Sequence, residues 1–596
     1  MTDPAAPSRP DVVVIMMDDL AYGDLACHGN PHVVTPHLDR LHGESARLTR
    51  YSSGPMCTPA RASLMTGRYH QRTRAYDTFC GRSMIDPGEV TLGHVLGAAG
   101  YRTGAFGKWH LGDAYPMRAG DLGFEETLVH NAGGIGQPGD HRQNHWREGE
   151  AYFDPVLHRD GVPEPSSGYC TDVLTDAAID FVTRAGSERA PFFCYLATNA
   201  PHTPLEVPDE WIDRYRADDR LGEVHARLYA MVENIDWNVG RLLAAIDPAT
   251  TLVVYTSDHG PCPSARDFSL PPDRQVRWNA GLRGEKGSLY DGAVKVPSFW
   301  RGPGVTGGRD IATVASPIDV LPTLASVCGA ELPADVALDG VDLSPLLAGG
   351  SGSDASGDDR TLFLQWHRGN TQERYRNYAV VRGRHKLHRP VESAPDELYD
   401  LLADPGEATD VAADHPDGVT DLRAAYDAWF DDVSTTRPDN WAPPRIVVAA
   451  AAGPGPVVLS RQDWRIDDGL ADMGELAGWM TSTPGWWEIA VPEAVVVDVD
   501  VRLDAFSWSH PAFLIAVHLR IGEQTWTTPG VLQVTRYRFP AIALPEGDTK
   551  VEAWATVAGS DQRSSALYVD LTLARGDGPR GRSAERSDPG GALRLG

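Results

Sequence analysis

The run Val12-Val-Val-Ile-Met-Met17, together with the acidic pair Asp18-Asp19 that ends it, constrains this chain more than any other stretch. An unbroken apolar run rich in β-branched residues is the pattern of a parallel strand buried on both faces. Two adjacent carboxylates at the end of such a strand are costly without a partner. In an open α/β sheet, that carboxyl-terminal edge is also where ligands bind. A second run, Thr251-Leu-Val-Val-Tyr-Thr256, leads in the same way into Asp258-His259 and then Gly260. Two segments far apart in the chain thus deliver ligand-type residues to one sheet edge.

Between them, stretches with helical periodicity (Thr91 to Ala99, Thr171 to Ala185, Val224 to Ile246) alternate with apolar strands such as Pro191 to Leu196. This alternation predicts an α/β fold with a doubly wound, mostly parallel sheet. A chain of 596 residues is too long for that unit alone. We expect an α/β domain over 1–345, then a smaller subdomain over 346–445 with short antiparallel strands at Tyr378 to Val381 and Lys386 to Leu387. The Gly- and Ser-rich stretch Gly349 to Asp359 reads as a flexible loop in it. Alternating strands broken by Gly, Pro and Asp turns predict a β-sandwich over 449–575. The Gly-, Arg-, Ser- and Pro-rich residues 576–596 read as a disordered tail. The sandwich carries Trp464, Trp479, Trp486, Trp487, Trp508, Trp526 and Trp554, expected mainly in its core, with the Trp486-Trp487 doublet a candidate face for sugar rings.

Charge and cysteine usage narrow the function classes. With 54 Lys and Arg against 82 Asp and Glu the net charge is -28, which argues against nucleic-acid and anionic-membrane partners. The first residues carry neither a basic n-region nor an apolar h-region, so the expectation is a cytoplasmic protein, or a secreted one whose signal has been removed. Seven cysteines without a CxxC pair suggest neither a disulfide framework nor a zinc site. Cys57 is the one that calls for an explanation.

Cys57 stands in Met56-Cys-Thr-Pro-Ala-Arg61, followed by Thr66-Gly-Arg68; further on come Phe106-Gly-Lys-Trp-His-Leu-Gly112, Asn199-Ala-Pro-His-Thr-Pro204 and Gly284-Glu-Lys-Gly287. In this order, and with Asp18, Asp19, Asp258 and His259, they resemble the motifs of the formylglycine-dependent, arylsulfatase-like sulfatase family of the alkaline-phosphatase-like superfamily, over roughly residues 10 to 435. The resemblance implies that a maturation enzyme oxidises Cys57 to formylglycine, whose hydrate is the nucleophile. It makes Asp18, Asp19, Asp258 and His259 the protein ligands of a divalent cation that also holds the oxygen of residue 57. Carboxylates favour a hard cation, so Ca2+ comes first; His259, where most of the family has Asn, brings Mn2+ or Zn2+ into range. Arg61 is implied to stabilise the nucleophile, Lys108 and Lys286 to bind sulfate, His110 to take a proton from the second hydroxyl, and His202 to serve the leaving-group oxygen. Histidine suits both proton transfers because its pKa lies near neutrality. Ala60 replaces the commoner Ser, and Asp291-Gly-Ala-Val-Lys295 stands where Glu-Gly-Gly-x-Arg is usual.

The function expected is release of inorganic sulfate from a sulfated carbohydrate or an aryl sulfate. Two rivals are a phosphodiester or phosphonate monoester hydrolase of the same superfamily, and a non-catalytic glycan-binding protein with unmodified Cys57. Trp109, His130, Gln137, His141 and Asn144 are pocket candidates on side-chain chemistry alone. The tract His28, His32, His37 and His42 has spacings that build no single helical face, so it is read as part of the family pattern, with His37 a pocket candidate, and not as a metal site. Glu397 to Glu407 resembles the turn of the family's second domain.

Overall fold

The structure is a computed structural model; it describes residues 9–574 apart from 146–149, 189, 351–359, 468–482, 504–513, 532–533 and 559–562. The loop expected at 349–359, the tail at 576–596, Trp479 and Trp508 lie wholly or largely outside the described residues.

Ten strands form the main sheet: β1 (Asp11–Met17), β2 (Ala46–Tyr51), β3 (Arg102–Lys108), β4 (Glu126–His130), β5 (Val156–Arg159), β6 (Val162–Pro165), β7 (Phe192–Ala197), β8 (Thr251–Ser257), β9 (Ser298–Arg301) and β10 (Arg309–Ala315). Their order is β10-β2-β9-β8-β1-β7-β3-β4-β5-β6. The centre, β8-β1-β7-β3-β4, is parallel throughout, while β9, β5 and β6 run antiparallel to their neighbours. The expected α/β architecture is thus present. β1 shows why its run is continuously apolar. Val12, Val14 and Met16 enter one hydrophobic core and Val13, Ile15 and Met17 the other, so both faces of the strand are covered.

Helices α1 (Pro36–Glu44), α2 (Cys57–Thr66), α3 (Leu92–Ala98), α4 (Cys170–Glu188), α5 (Asp209–Arg216) and α6 (Glu223–Ala244) divide between the two faces. α4, α5 and α6 bury Leu174, Phe181, Ile212, Ile235 and Leu242 with Val13 and Ile15, whereas α2 and α3 place Leu64, Met65, Leu92 and Leu96 with Val12 and Val14. The three helices expected from periodicity correspond to α3, α4 and α6. A four-stranded antiparallel sheet follows, β11 (Thr361–Gln365) to β12 (Tyr378–Arg382), β13 (His385–Arg389) and β14 (Glu397–Asp400). The helix Pro416–Ser434 packs on it through Leu422, Tyr426, Trp429 and Phe430.

The C-terminal module has two sheets in a sandwich-like arrangement. One orders Ile446–Val447, Trp487–Val491, Gly547–Val557, Leu514–Ile521 and Gln524–Pro529; the other orders Val457–Ser460, Tyr568–Leu573, Val495–Arg502 and Arg536–Leu544. Val497, Val499 and Val501 of one and Ile489, Val517 and Leu519 of the other are fully buried. They join the same continuous core as Val12 and Met65 of the α/β unit.

Candidate active site

β1 and β8 are hydrogen-bonded neighbours in parallel register, Met17 opposite Ser257. Asp18-Asp19 and Asp258-His259 therefore leave the sheet side by side, stitched by Asp258 N donating to Met17 O (3.1 Å) and Asp19 N donating to Asp258 Oδ1 (3.2 Å). Asp19 takes a left-handed φ of 64°, and His110 one of 55°. Such backbone is uncommon for residues other than glycine and clusters where a site is built. Arg277, buried, holds the turn: its guanidinium pairs with Asp24 (2.8 Å) and donates to the Asp19 carbonyl.

Cys57 begins α2 and is buried. Its Sγ lies 3.2 Å from His259 Nε2, 3.3 Å from Lys286 Nζ and 3.6 Å from Asp18 Oδ1. Arg61 follows one helical turn later on the same face. Fully buried, it donates to Asp258 Oδ2 and to the Lys108 carbonyl, both at 2.9 Å. Lys108, the last residue of β3, pairs with Asp18 Oδ2 at 2.7 Å, and Lys286 pairs with Asp19 Oδ1 at 2.8 Å. His202 Nδ1 contacts the Thr203 carbonyl at 2.6 Å, so that nitrogen carries the proton and Nε2 faces Asp19 Oδ2 at 3.8 Å. His110 Nε2 donates to the Thr78 carbonyl at 2.9 Å, and its Nδ1 is buried without a hydrogen-bond partner among the described residues. Of the residues singled out from the sequence as catalytic, Lys286 thus contacts the sulfur directly, Lys108 and Arg61 are tied to its neighbours Asp18 and Asp258, His202 lies beside Asp19, and His110 is held at Thr78.

The electrostatics follow from these pairs. Burial opposes ionisation of Cys57, yet Lys108, Lys286 and His259 together hold its thiol well below the usual value. Burial works against charged Asp19 too, and Lys286, His202 and His259 overcome it, keeping the carboxyl far below the ordinary range. His259 is raised to about 9, Asp258 outweighing burial. Burial pushes His110 down, partly offset by the nearby Cys57 sulfur.

Asp18, Asp19, Cys57 and His259 offer ligand atoms that all lie within 4.8 Å of one another. Asp258 stands beside this set, its Oδ1 3.5 Å from His259 Nε2 while Oδ2 serves Arg61. Asp19 Oδ2 is buried and accepts no hydrogen bond among the described residues. An orphaned carboxylate oxygen among three further ligand-type groups fits a divalent cation.

The pocket candidates divide. Gln137 lies beside His110: a Cβ on Gly133 would stand 2.9 Å from Gln137 Oε1 and 3.1 Å from His110 Cε1. His130 is the register partner of Lys108 and is held neutral, burial pushing its pKa well down. Trp109 is a correction. It is buried in the hydrophobic core, donates to the Met117 carbonyl (2.9 Å) and packs edge-on against Phe124. Asn144 is likewise structural, tied to Asp140 and to the Val156 carbonyl. His141 is half-buried against His158. His37 sits with its ring over Gly240 of α6, not in the pocket. Trp487 offers no face to a sugar, being fully buried with Nε1 on the Ser460 carbonyl; Trp486 lies under Lys550.

In the histidine tract, Cys27, His28 and His42 bring ligand atoms within 4.8 Å, a grouping that spacing between histidines alone misses. Burial and Asp39 raise the Cys27 thiol, and His28 stacks on Tyr22 while bonding its carbonyl, so the grouping packs the loop onto Phe299. Other residues that shape the site carried no sequence signal. Arg277 is one, Thr58, which donates to the His110 carbonyl, is another, and Gln462 is a third.

A model of the sulfatase family matches residues 10–330, and one described as the C-terminal part of N-sulphoglucosamine sulphohydrolase matches residues 284–424. The chain is 32% identical over 462 residues to arylsulfatase A of Homo sapiens, across 67% of this chain and 82% of that one. It is 29% identical over 493 residues to N-acetylgalactosamine-6-O-sulfatase of Bacteroides thetaiotaomicron, across 70% and 92%. The crystal structure of Ps i-CgsB in complex with k-i-k-neocarrahexaose is similar at a TM-score of 0.62 and 26% identity, over 71% of this chain and 93% of that chain.

Proposed function

The chain belongs to the sulfatase family, and from that premise we propose that it releases inorganic sulfate from a sulfated carbohydrate or an aryl sulfate with residue 57 as nucleophile. Its action on sulfate esters follows from the family; the substrate class and the residue roles are the proposal. The observation that carries it is the convergence of Lys286, His259 and Asp18 on Cys57 Sγ within 3.6 Å. A sugar substrate is supported by the relative that acts on an N-acetylgalactosamine sulfate and by the similar structure holding a neocarrahexaose.

Formylglycine formed from Cys57 by a maturation enzyme supplies a hydrated aldehyde, with one hydroxyl to attack sulfur and a second whose loss of a proton lets the C–O bond break and sulfate leave. The remaining chemistry belongs to side chains already in place. Lys108 and Lys286 spread the negative charge that develops on the transferred group, and Arg61 holds Asp258 and the end of β3 in position. His202 has its Nδ1 proton committed to the Thr203 carbonyl, so Nε2 is the atom that faces the departing oxygen, and it protonates that oxygen from the imidazolium form, in which both ring nitrogens carry protons. His110 presents Nδ1 as the acceptor for the second hydroxyl's proton. Asp18, Asp19, Asp258 and His259 would hold a divalent cation, Ca2+ first and Mn2+ or Zn2+ behind it, whose charge neutralises sulfate oxygen.

The Asp258-His259 pair keeps the phosphonate monoester hydrolase as the one rival with an observation behind it. The test is turnover of an aryl sulfate against the matching aryl phosphonate by protein with converted Cys57. A preference for the sulfate is expected, and a large preference for the phosphonate overturns the reading.

A further inference from the structure

The C-terminal module meets the reaction site at the turn Arg461–Asp463, which follows the strand Val457–Ser460. Gln462 in that turn is buried between the loop Thr78–Ser83 and the segment at Gly139, where a Cβ would stand 2.6 Å from the Gln462 Cβ. Its amide nitrogen donates to the Thr78 carbonyl (2.5 Å) and to Ser83 Oγ (3.0 Å), while its own backbone carbonyl accepts from Gly81 N (3.1 Å). One residue thereby ties down three points of this loop. The Thr78 carbonyl is also the acceptor for His110 Nε2, and the Gln462 amide nitrogen lies 3.3 Å from that nitrogen.

The orientation of both groups is determined by the carbonyl. An oxygen that can only accept requires His110 to carry its proton on Nε2, which leaves Nδ1 as a lone pair. The same oxygen requires the amide of Gln462 to point its nitrogen inward, because the flipped amide would set two oxygens against each other. The loop is not relaxed on its own: Cys80 takes a left-handed φ of 57°, uncommon for a residue with a side chain. Holding such backbone takes surrounding contacts, and Gln462 provides them from a part of the chain outside the sulfatase-family match.

We propose that Gln462 is a positioning residue for His110: by clamping Thr78, Gly81 and Ser83 it fixes the acceptor that selects the Nε2–H tautomer, and so makes the C-terminal module a working part of the active site. The inference rests on the sulfatase reading for what His110 does, but not for where it is held.

The experiment uses full-length protein, with conversion of Cys57 measured by mass spectrometry, and nitrophenyl sulfate as substrate. Gln462→Met keeps the bulk and removes the amide, Gln462→Ala removes both, and Ser83→Ala removes one partner without touching the C-terminal module. For Gln462→Met, kcat is expected to fall about 10-fold or more with KM within about twofold, as for an interaction needed in the transition state and not in binding. Ser83→Ala, which remains informative should both Gln462 variants fail to fold, is expected to give a smaller fall in kcat with the same unchanged KM. In parallel, nitrogen NMR of labelled histidine, with His110→Gln to assign the signal, reads the tautomer in protein that keeps the Cys57 thiol. Wild type should show one Nε2–H form, and Gln462→Met a mixture. Unchanged kcat and an unchanged tautomer in Gln462→Met overturn the proposal. Fully converted wild type that leaves the sulfate ester intact overturns the sulfatase reading instead, and the tautomer then decides the role of Gln462.

Discussion

Cys57 and Arg61 sit one helical turn apart and depend on each other's surroundings. Arg61 is fully buried, and its two donors span Asp258 and the Lys108 carbonyl, a reach that a lysine's single ammonium does not reproduce. Arg61→Met strips Asp258 Oδ2 of its guanidinium donor and leaves this buried carboxylate with His259 and the Asp19 amide as its remaining partners, and a loss of stability on the order of 3 kcal/mol is expected, measurable as a shift in the denaturant midpoint. A variant with an unchanged midpoint contradicts the pairing. Cys57→Ser should lose multiple turnover while becoming covalently sulfated once, because a serine ester lacks the second hydroxyl needed to break the C–O bond. Intact-mass analysis after incubation with an aryl sulfate reads that outcome. The sequence makes these residues legible because their chemistry demands particular side chains at fixed spacing. Arg277 was not legible: it binds the Asp19 carbonyl, and a backbone acceptor leaves no trace in the partner's residue type.

At the scale of elements, the ends of β1 and β8 gather three carboxylates and an imidazole, and Asp19 Oδ2 accepts no hydrogen bond among the described residues. A cation there binds the native state and not the unfolded chain, so chelation should lower Tm by several degrees and added Ca2+ should restore it. An unchanged Tm after exhaustive chelation argues against the site. The segments after β3 and β4 carry a second titrating feature, since burial raises both Asp113 and Asp140 to about 7. Both folded values lie above the unfolded value of 3.8, so the folded state holds more protons between about pH 4 and 7. Their contribution to stability is complete below that window and is lost as pH rises through 7. Asp140→Asn should flatten the fall in Tm across this window, and a parallel pH profile for variant and wild type contradicts the assignment. β1, β8, α4 and α6 could be read from the sequence because each is long and strongly patterned. β5 and β6 could not, being short antiparallel strands at one end of the sheet, with Val162 to Pro165 of the edge strand largely exposed and neither showing the alternation that marks a half-buried strand.

For the whole molecule, one hydrophobic core runs from Val12 and Met65 through Trp464 and Trp487 to Val517 and Val551. Units that share a core unfold together, so calorimetry is expected to show one main transition for the full chain. Two well-separated transitions contradict that coupling. The existence of a β module was legible in its alternating strands, but its attachment was not, because Arg461-Gln-Asp463 reads in sequence as a polar surface turn and only the fold buries it. No described helix is long and apolar enough to cross a membrane. Every step of the proposed reaction starts from the nucleophile at residue 57. The most direct measurement is the mass spectrum of the tryptic peptide Tyr51 to Arg61 from protein made with its maturation enzyme. Loss of the Cys57 thiol and gain of an aldehyde are expected in an active preparation; a fully intact thiol in protein that still turns over sulfate ester contradicts a formylglycine nucleophile.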